Sequence, residues 1–368
     1  MLRPLNARPE RVLMTTDAVG GVWTYALELA AGLAAEGIET RLVGLGPRPS
    51  DRQVEAVRAA GFELGWLDLP LEWLAADEAS FRASVAALSD LAAEFRADVV
   101  HLNGPALATG FEADAPVVAA AHSCLASWWQ AVKGTALPAD WDWRVRLTAE
   151  GLRRADLALA PSRAFARALE ACYGPLRLQV VHNGRKPRMK PAPKGRFVLT
   201  GGRLWDEGKN VATLDAAAAG LAWPVLAAGA RDGPGGARVR LRNIAPLGAL
   251  DEPNFLRLCA EAPIFASLAL YEPFGLAVLE AAQAGAALVL SDIPSFREIW
   301  HEAALFVPPR EAEAARAALA GLMADTSRRR ALQEAARRRA TRYTPRAMTE
   351  AVLAAYADVI ARRQPVPA

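Results

Sequence analysis

Cysteine and histidine are scarce in this sequence, with three cysteines and four histidines among 368 residues. Cys124, Cys172 and Cys259 are odd in number and lie far apart. This spacing excludes a disulfide framework and any metal site of the CxxC type. Each cysteine has apolar neighbours, so we expect three small, buried hydrophobic side chains.

Long apolar runs are also missing. No segment approaches the roughly 20 apolar residues that span a bilayer. Residues 1–9 lack the apolar core of a signal peptide, so the cytoplasm is the expected location. The formal net charge of +3 is small for this length and does not favour binding to nucleic acid.

The excess of positive charge is local. Two arginine triplets, Arg328–Arg330 and Arg337–Arg339, lie on one predicted helix. A solvated helical face is the simpler interpretation. The alternative is contact with an acidic acceptor or with an anionic membrane surface, in which case the protein would bind peripherally to the inner face of the membrane.

Short apolar runs alternate with alanine-rich helical stretches along the whole chain. The first unit is a strand at 11–15, a loop with Gly20 and Gly21, and a helix from about Val22 to Glu36. Apolar strands that alternate with helices predict parallel sheets buried on both faces. Residues 186–195 interrupt this rhythm with three prolines and four basic residues, which is typical of a linker.

We therefore predict an α/β protein with two doubly wound parallel-sheet domains that face each other across a cleft. The N-terminal domain is expected at 1–185 and the C-terminal domain at 186–345, with helical stretches at roughly 311–341 and 346–362. Open parallel sheets bind ligands at the carboxyl ends of their strands. The loops at those ends are therefore the candidate sites.

Two of these loops carry glycine pairs. Gly20–Gly21 opens the first predicted helix, where backbone N–H groups can approach an anion. The three-glycine dinucleotide fingerprint is lacking, so NAD binding is not expected. Gly201–Gly202 precedes Arg203 and Lys209, two cations that could neutralise a diphosphate leaving group. A pair of surface cations is the alternative interpretation.

The segment from Glu272 to Glu280 follows a predicted strand and begins a helix near Leu276. Gly275 permits backbone N–H groups to approach a phosphate, and the helix dipole adds partial positive charge there. Glu280 lies one turn after Leu276 on the same face, where a carboxylate could accept hydrogen bonds from two ribose hydroxyls. The alternative is a solvated glutamate and a second one at the edge of the core.

One histidine and four tryptophans complete the candidates. His122 ends a predicted strand that would face the cleft, although a lone histidine is often structural. Trp128, Trp129, Trp141 and Trp143 lie within sixteen residues. Aromatic side chains either stack on sugars or pack in a core, and both interpretations stay open.

In this order the loops resemble those of the retaining family 4 glycosyltransferases with the GT-B fold, over nearly the whole chain. The proline that usually precedes Asn-Gly in that family is His182 here, and Arg185 and Lys186 after it are basic. The residues that carry the resemblance are Gly20–Gly21, His122, 160–162, 181–184, Gly202–Arg203, Lys209, and Glu272 and Glu280 with seven residues between them.

The resemblance implies two Rossmann-like domains and a retaining hexosyltransferase that moves a sugar from a nucleotide-sugar donor to an acceptor hydroxyl. It implies no metal and no other cofactor. The roles it implies are diphosphate binding by Arg203 and Lys209, backbone N–H groups from Phe274, Gly275 and Leu276, contact of Glu272 with the donor sugar and of Glu280 with the ribose, His122 near the reacting carbon, and a cleft lined by Gly20 and Gly21.

It further implies that the N-terminal domain binds the acceptor and the C-terminal domain the donor, with 346–368 returning to the first domain as a helix. Base recognition is expected from the loop at Ala245–Gly248. Three classes of acceptor stay open: a sugar, a lipid-linked molecule and a small molecule. Two alternatives remain: a nucleotide-sugar epimerase or hydrolase on the same fold, and a non-catalytic nucleotide-sugar-binding protein.

Overall fold

The apolar runs form two parallel sheets in the computed structural model, which describes residues 8–363. The chain divides into two units around these sheets. Unit 1 comprises the chain up to Trp129, Thr135–Gly184 and the residues from Pro345 onward. Unit 2 comprises Gln130–Gly134 and Arg185–Thr344.

Unit 1 contains a seven-stranded sheet in which every pairing is parallel. Its strands in chain order are β1 (Arg11–Asp17), β2 (Glu39–Leu45), β3 (Leu64–Trp66), β4 (Val99–Leu102), β5 (Val117–Ala120), β6 (Leu157–Ala160) and β7 (Leu178–Val180). Their spatial order is β3-β2-β1-β4-β5-β6-β7. The direction of strand addition therefore reverses between β1 and β4.

Unit 2 contains a six-stranded sheet with the same kind of reversal, between β8 and β11, and again every pairing is parallel. Its strands are β8 (Val198–Gly201), β9 (Val225–Ala228), β10 (Ile244–Gly248), β11 (Ile264–Ser267), β12 (Ala287–Ser291) and β13 (Ala304–Val307). Their spatial order is β10-β9-β8-β11-β12-β13.

Helices follow most of the strands, as expected for parallel sheets whose connections cross over. They are α1 (Gly21–Ala35), α2 (Asp51–Ala59), α3 (Glu78–Phe95), α4 (Leu125–Val132), α5 (Asp142–Arg154), α6 (Arg163–Tyr173), α7 (Val211–Ala218), α8 (Glu252–Glu261), α9 (Leu276–Gln283), α10 (Pro294–Trp300), α11 (Ala312–Ala324), α12 (Thr326–Ala340) and α13 (Pro345–Arg363).

Each sheet is covered on both faces. Val12 and Met14 of β1 belong to one apolar core, whereas Leu13 between them belongs to another. Val198 and Leu199 of β8 divide in the same way between the two cores of unit 2. Because successive residues of a strand point to opposite faces, this division identifies two doubly wound sheets.

The C-terminal helix α13 packs in unit 1. Tyr356 is completely buried, and its hydroxyl lies 2.8 Å from Nδ1 of His101 in β4. Met348 and Val352 contribute to the same apolar core as α1. Within the described residues, no helix has both the length and the apolar composition needed to cross a membrane.

Several sequence predictions of elements were wrong. The stretch expected as one helix at 311–341 is two helices, because Asp325 ends α11 and its carboxylate caps α12 by accepting the N–H of Arg328. Residues Ala245–Gly248, expected as a loop, belong to the edge strand β10, where Pro246 is tolerated. The elements α2, β3 and α3 were not predicted.

The remaining sequence features have structural explanations. Ser162 caps α6, since its hydroxyl accepts the N–H of Phe165. The backbone at Asn183–Gly184 is irregular, and the Gly184 N–H donates to Met348 Sδ. No disulfide forms among the described residues. Cys124 and Cys259 are buried as expected, whereas Cys172 is partly exposed.

Helix α5 approaches a 3₁₀ helix, Pro105–Ala108, very closely at Gly151. A Cβ added to Gly151 would lie 1.8 Å from the carbonyl oxygen of Pro105. Thr109 then bonds the carbonyl oxygen of Leu147 in α5 at 2.7 Å. The glycine therefore allows α5 to support the segment that follows β4.

We expect Gly151→Ala to destabilise the protein by about 2–3 kcal/mol, because the backbone of Pro105 cannot give way as a flexible side chain can. The matched control is Gly321→Ala in α11, where an added Cβ meets nothing. That control should be stabilised by up to about 1 kcal/mol, since alanine favours helix. Denaturant unfolding measures both, and equal stability of the two variants would contradict the close contact.

Candidate functional site

The loops that follow β8 and β11 meet at the strand reversal of unit 2. We call residues 202–209 the β8 loop and residues 268–275 the β11 loop. The N–H of Leu270 donates to the carbonyl oxygen of Gly208 at 2.8 Å. The side-chain amide of Asn210 donates to the carbonyl oxygen of Leu268 at 2.8 Å. Two segments about 60 residues apart in sequence thus form one surface.

An ion pair connects the two loops. Nζ of Lys209 lies 2.5 Å from Oε2 of Glu272. The carbonyl oxygen of Glu272 also accepts a hydrogen bond from the Ser295 hydroxyl at 2.5 Å. The sequence implied separate phosphate and sugar contacts for Lys209 and Glu272. The structure brings both side chains together at one point.

Arg203 lies in the β8 loop with its guanidinium accessible. Its side chain is 43 % exposed, and Nη2 lies 3.0 Å from Oδ2 of Asp206. Oδ1 of the same aspartate accepts the N–H of Gly208 at 2.8 Å, so Asp206 orders the loop and Arg203 together. Asp206 was not predicted as a site residue. Its position before the 3₁₀ helix Glu207–Lys209, which it caps, was the available signal.

The start of α9 supplies backbone donors beside these cations. Gly275 precedes α9 with φ +92°, a conformation that side chains with a Cβ rarely adopt. The ring of Phe274 is buried and packs edge-on against Tyr343, with 5.5 Å between the ring centroids. The N–H groups of the first turn from Leu276 have no intrahelical acceptor. Together with the helix dipole they favour an anion.

Glu280 lies one turn further along α9 and is mostly buried. Its side chain is 11 % exposed, and Oε1 lies 2.7 Å from Nε of Arg185. Burial raises the pKa of Glu280, and Arg185 opposes that shift. Glu280 therefore belongs to an internal ion pair. Arg185 was noted in the sequence only as a departure from the family pattern.

His122 follows β5 in unit 1 and has a fixed orientation. Its Nε2 lies 2.8 Å from Oδ1 of Asn103, and its ring packs against Tyr25 at 4.5 Å between centroids. The Asn103 amide donates Nδ2–H to the carbonyl oxygen of Thr15 at 2.7 Å. Because the amide nitrogen is used there, Oδ1 must accept from His122. His122 thus carries its proton on Nε2 and presents Nδ1 as an acceptor.

Burial also keeps this histidine neutral. It lowers the pKa of His122 to about 4 and that of His101 to about 3. His101 lies between two buried tyrosines, at 2.8 Å from the hydroxyl of Tyr356 and 3.4 Å from that of Tyr25. His122 can therefore accept a hydrogen bond at neutral pH but carries no charge.

Gly20 and Gly21 form the junction of β1 and α1. Gly20 precedes the helix with φ +83°, and a Cβ added there would meet nothing. The backbone conformation therefore requires this glycine. The expected close approach to a ligand stays a prediction. Asp17 orders the loop by accepting the N–H of Val19 at 2.7 Å.

The four tryptophans differ in their exposure to solvent. Trp143 packs against an apolar core of unit 1, with the guanidinium of Arg144 4.3 Å from its ring centroid. Trp141 is 38 % exposed and lies 5.9 Å from Trp129, which contacts Trp128. Trp143 is thus a packing residue, and Trp141 is the member of the group that solvent reaches best.

The six arginines of the two triplets in α12 fall into two groups, those that bond the rest of unit 2 and those that face solvent. Arg339 donates to the carbonyl oxygens of Ile299 and Glu298 at 2.7 and 2.8 Å. Arg329 donates to the carbonyl oxygen of Leu322 and lies over the ring of Trp223. These two arginines stabilise unit 2. The other four face solvent, as the simpler interpretation of the sequence expected.

Glu72 is a titratable group that was not predicted from the sequence. Burial raises the pKa of its carboxyl to about 7, the charge of Asp17 adds to this, and Arg144 opposes it. Arg144 also holds the segment by donating to the carbonyl oxygen of Glu72 at 2.9 Å. The apolar neighbours Leu71 and Trp73 were the only signal in the sequence.

A metal centre is not apparent in the described part of the chain. Residues 8–363 contain no group of three or more histidine, cysteine, aspartate or glutamate side chains arranged to hold a metal ion. We call the surface formed by the β8 and β11 loops the unit 2 surface. Positive charge is supplied there by Arg203, by Lys209 and by the start of α9. Independence of a metal stays a prediction.

Comparisons with known proteins identify the family of this chain. Residues 19–187 match Glycosyltransferase Family 4, and residues 241–339 match Glycosyl transferases group 1. No curated protein shows a significant sequence match.

Solved structures match the chain over almost its whole length. Sucrose-phosphate synthase from Thermosynechococcus elongatus has 18 % identity and a TM-score of 0.80, covering 96 % of this chain and 100 % of its own. Anabaena HepE in complex with UDP and glucose has 16 % identity and a TM-score of 0.74, covering 95 % and 100 %. A glycosyltransferase from Rickettsia africae has 16 % identity and a TM-score of 0.71, covering 95 % and 98 %. At these identities the likeness shows a shared fold.

We expect His122 to be the neutral Nε2-protonated tautomer above about pH 5.5, since its pKa is about 4. The ¹⁵N shifts of the imidazole report the tautomer directly. Asn103→Asp should raise the pKa of His122, because a carboxylate favours imidazolium. Asn254→Asp, at an exposed position of α8, is the control. A wild-type imidazole protonated on Nδ1 would contradict the assigned network.

Glu72 should make stability depend on pH. Its pKa rises from 4.5 in the unfolded chain to about 7 in the fold, so unfolding releases a proton between these values. The free energy of unfolding therefore falls as pH rises through this window, and the loss is complete above about pH 7. Glu72→Gln removes the effect.

We expect Glu72→Gln to be more stable than the wild type at about pH 8.5, by at most about 3 kcal/mol, with little difference at about pH 4.5. Urea unfolding at the two pH values measures this. Glu55→Gln, at an exposed position of α2, is the control. The same stability difference at both pH values would show that Glu72 has no raised pKa.

Proposed function

Because the chain belongs to the family 4 glycosyltransferases of the GT-B fold, we propose that it moves a sugar from a nucleotide-sugar donor to an acceptor hydroxyl with retention of anomeric configuration. The observation that carries this proposal is the unit 2 surface, where Arg203, Lys209 and the start of α9 converge. A diphosphate matches this set of donors in charge and in hydrogen bonding.

In this proposal Lys209 contacts the phosphate of the donor and Glu272 contacts its sugar. The ammonium of Lys209 has three hydrogens, so it can bond Glu272 and a phosphate oxygen together. Glu272 uses Oε2 for Lys209 and keeps Oε1 for a sugar hydroxyl. Arg203 exchanges part of its contact with Asp206 for a second phosphate oxygen. Glu280 contacts the ribose of the donor.

The chemistry is then positioning and charge stabilisation. As the bond from the sugar to the phosphate breaks, negative charge grows on the leaving diphosphate, which Arg203, Lys209 and the α9 N–H groups stabilise. The acceptor attacks from the face that the diphosphate leaves, and a phosphate oxygen takes its proton. No side chain forms a covalent intermediate, and no metal ion is required.

His122 of unit 1 is a neutral hydrogen-bond acceptor that suits a sugar hydroxyl. Nδ1 of His122 is not protonated in the network described above, so it can accept from a donor-sugar hydroxyl. A neutral imidazole adds no positive charge that would repel a developing oxocarbenium ion. Gly20 and Gly21 are the proposed donor-binding residues of unit 1.

The proposed donor and acceptor are named by chemical class. Anabaena HepE was solved with UDP and glucose, which supports a UDP-hexose as the first donor to test and a hexosyltransferase as the activity. The acceptor is a sugar, a lipid-linked molecule or a small molecule. We further propose that the enzyme is cytoplasmic. Because four arginines of α12 face solvent, assays with and without anionic vesicles test for peripheral membrane binding.

The experiment incubates the protein with UDP-, ADP- and GDP-hexoses, with and without acceptors, and with EDTA in a parallel series. We expect nucleotide release that depends on an acceptor and that EDTA leaves unchanged. Equal conversion without an acceptor would favour an epimerase or hydrolase. Tight nucleotide-sugar binding with no turnover for any acceptor would favour a binding protein.

Arg203→Ala should lower the turnover of the preferred donor by about 100-fold or more, about 2.7 kcal/mol of barrier, because it removes a charge-stabilising donor. Arg238→Ala is the matched control, since Arg238 is an exposed arginine of unit 2 that pairs with Asp232. Similar turnover of the two variants would overturn the phosphate contact of Arg203.

A further inference from the structure

Arg185 is a buried arginine beside the proposed ribose contact. Its side chain is 3 % exposed. Its N–H donates to the carbonyl oxygen of Tyr343 at 3.1 Å, and its own carbonyl oxygen accepts from Gln283 of α9 at 2.7 Å. Two hydrogen bonds therefore fix the backbone of Arg185, and they fix the point from which its side chain extends.

The guanidinium joins two carboxylates. Nε of Arg185 lies 2.7 Å from Oε1 of Glu280, and Nη2 lies 2.9 Å from Oε2 of Glu252 in α8. Oε1 of Glu252 pairs in turn with Nη1 of Arg188 at 2.9 Å. Arg185 thus ties the segment at the start of unit 2 to both α8 and α9.

These contacts leave one side of Glu280 for a ligand. Arg185 takes Oε1, and a carboxylate oxygen pair has about four sites for accepting hydrogen bonds. Oε2 of Glu280 therefore keeps its accepting capacity. The orientation of the carboxylate is set by a rigid planar donor rather than by a flexible ammonium.

The charge of Glu280 depends on the same contact. The charged groups that act on it are Arg185 and Arg188, which favour the carboxylate, and Glu252, which disfavours it. The thiol of Cys259 in α8 also lies within electrostatic range. Burial raises the pKa of Glu280, and Arg185 is the largest influence in the opposite direction.

We propose that Arg185 is a positioning residue for the donor, which orients Glu280 so that Oε2 accepts the ribose hydroxyls. The charge of Arg185 also favours the ionised carboxylate, to which both hydroxyls can donate. This inference rests on the proposed function for the identity of the ligand. The geometry of Arg185, Glu280 and Glu252 is independent of that function.

The test compares a ligand that has a ribose with one that has none. UDP, ADP and GDP are titrated calorimetrically, and the tightest of them is carried forward beside inorganic pyrophosphate. Arg185→Met should weaken binding of the nucleotide by about tenfold or more, the effect of about 1.4 kcal/mol. Binding of pyrophosphate should change less than about twofold, because the phosphate contacts do not involve Arg185.

The pH dependence separates positioning from a general loss of structure. With Arg185→Met, Glu280 loses its main stabilising cation and its pKa rises further, so the increase of nucleotide affinity with pH should extend to higher pH than in the wild type. Arg185→Met combined with Glu280→Gln removes the titrating group and should abolish the pH dependence. Arg185→Lys should recover part of the affinity.

Arg257→Met is the matched control, since Arg257 is an exposed arginine of α8 that pairs with Glu261; its nucleotide affinity should stay near that of the wild type. Thermal unfolding checks that each variant folds. Equal weakening of nucleotide and pyrophosphate, or a pH-independent loss in Arg185→Met, would overturn the positioning role. A wild type that binds pyrophosphate but no nucleotide would instead overturn the ribose contact of the proposed function.

Discussion

The reversal of strand order in each parallel sheet is the constraint on which the candidate site depends. Where the strand order reverses, the loops that follow two neighbouring strands lead away to opposite sides, and a crevice for a ligand forms between them. In unit 2 this happens between β8 and β11, and the two loops there bring Lys209 to Glu272. In unit 1 it happens between β1 and β4, where Asn103 bonds Thr15 and orients His122. The chemistry-bearing side chains therefore cluster because of topology rather than because of their nearness in sequence.

A second regularity is that three cations at the candidate site of unit 2 each have a carboxylate partner. Lys209 pairs with Glu272, Arg203 with Asp206, and Arg185 with Glu280. A buried charge without a partner is costly, so these pairs hold the side chains in place before a ligand binds. The pairs differ in exposure, from Arg203 at 43 % to Arg185 at 3 %. Arg203 can accordingly turn toward a phosphate, whereas Arg185 can act only through its partner.

Much of the fold followed from the sequence, because apolar strands and amphipathic helices leave a periodic pattern. The two parallel-sheet domains, the GT-B fold and the glycosyltransferase family were predicted and are confirmed. The edge strand β10 was not predicted because Pro246 is atypical of a strand interior. The break between α11 and α12 was not predicted because Asp325 acts through a local hydrogen bond rather than through periodicity. The roles of Asn103, Arg185 and Glu72 depend on contacts between distant segments, which no local pattern records.

The central claim is that the β8 and β11 loops hold the diphosphate of the donor. Hydrogen–deuterium exchange of the wild type with and without saturating UDP tests it most directly. The account predicts slower exchange of the backbone N–H groups in the β8 loop and at Phe274, Gly275 and Leu276, with most other amides of unit 2 unchanged. Protection that appears elsewhere and leaves both loops unaffected would contradict it.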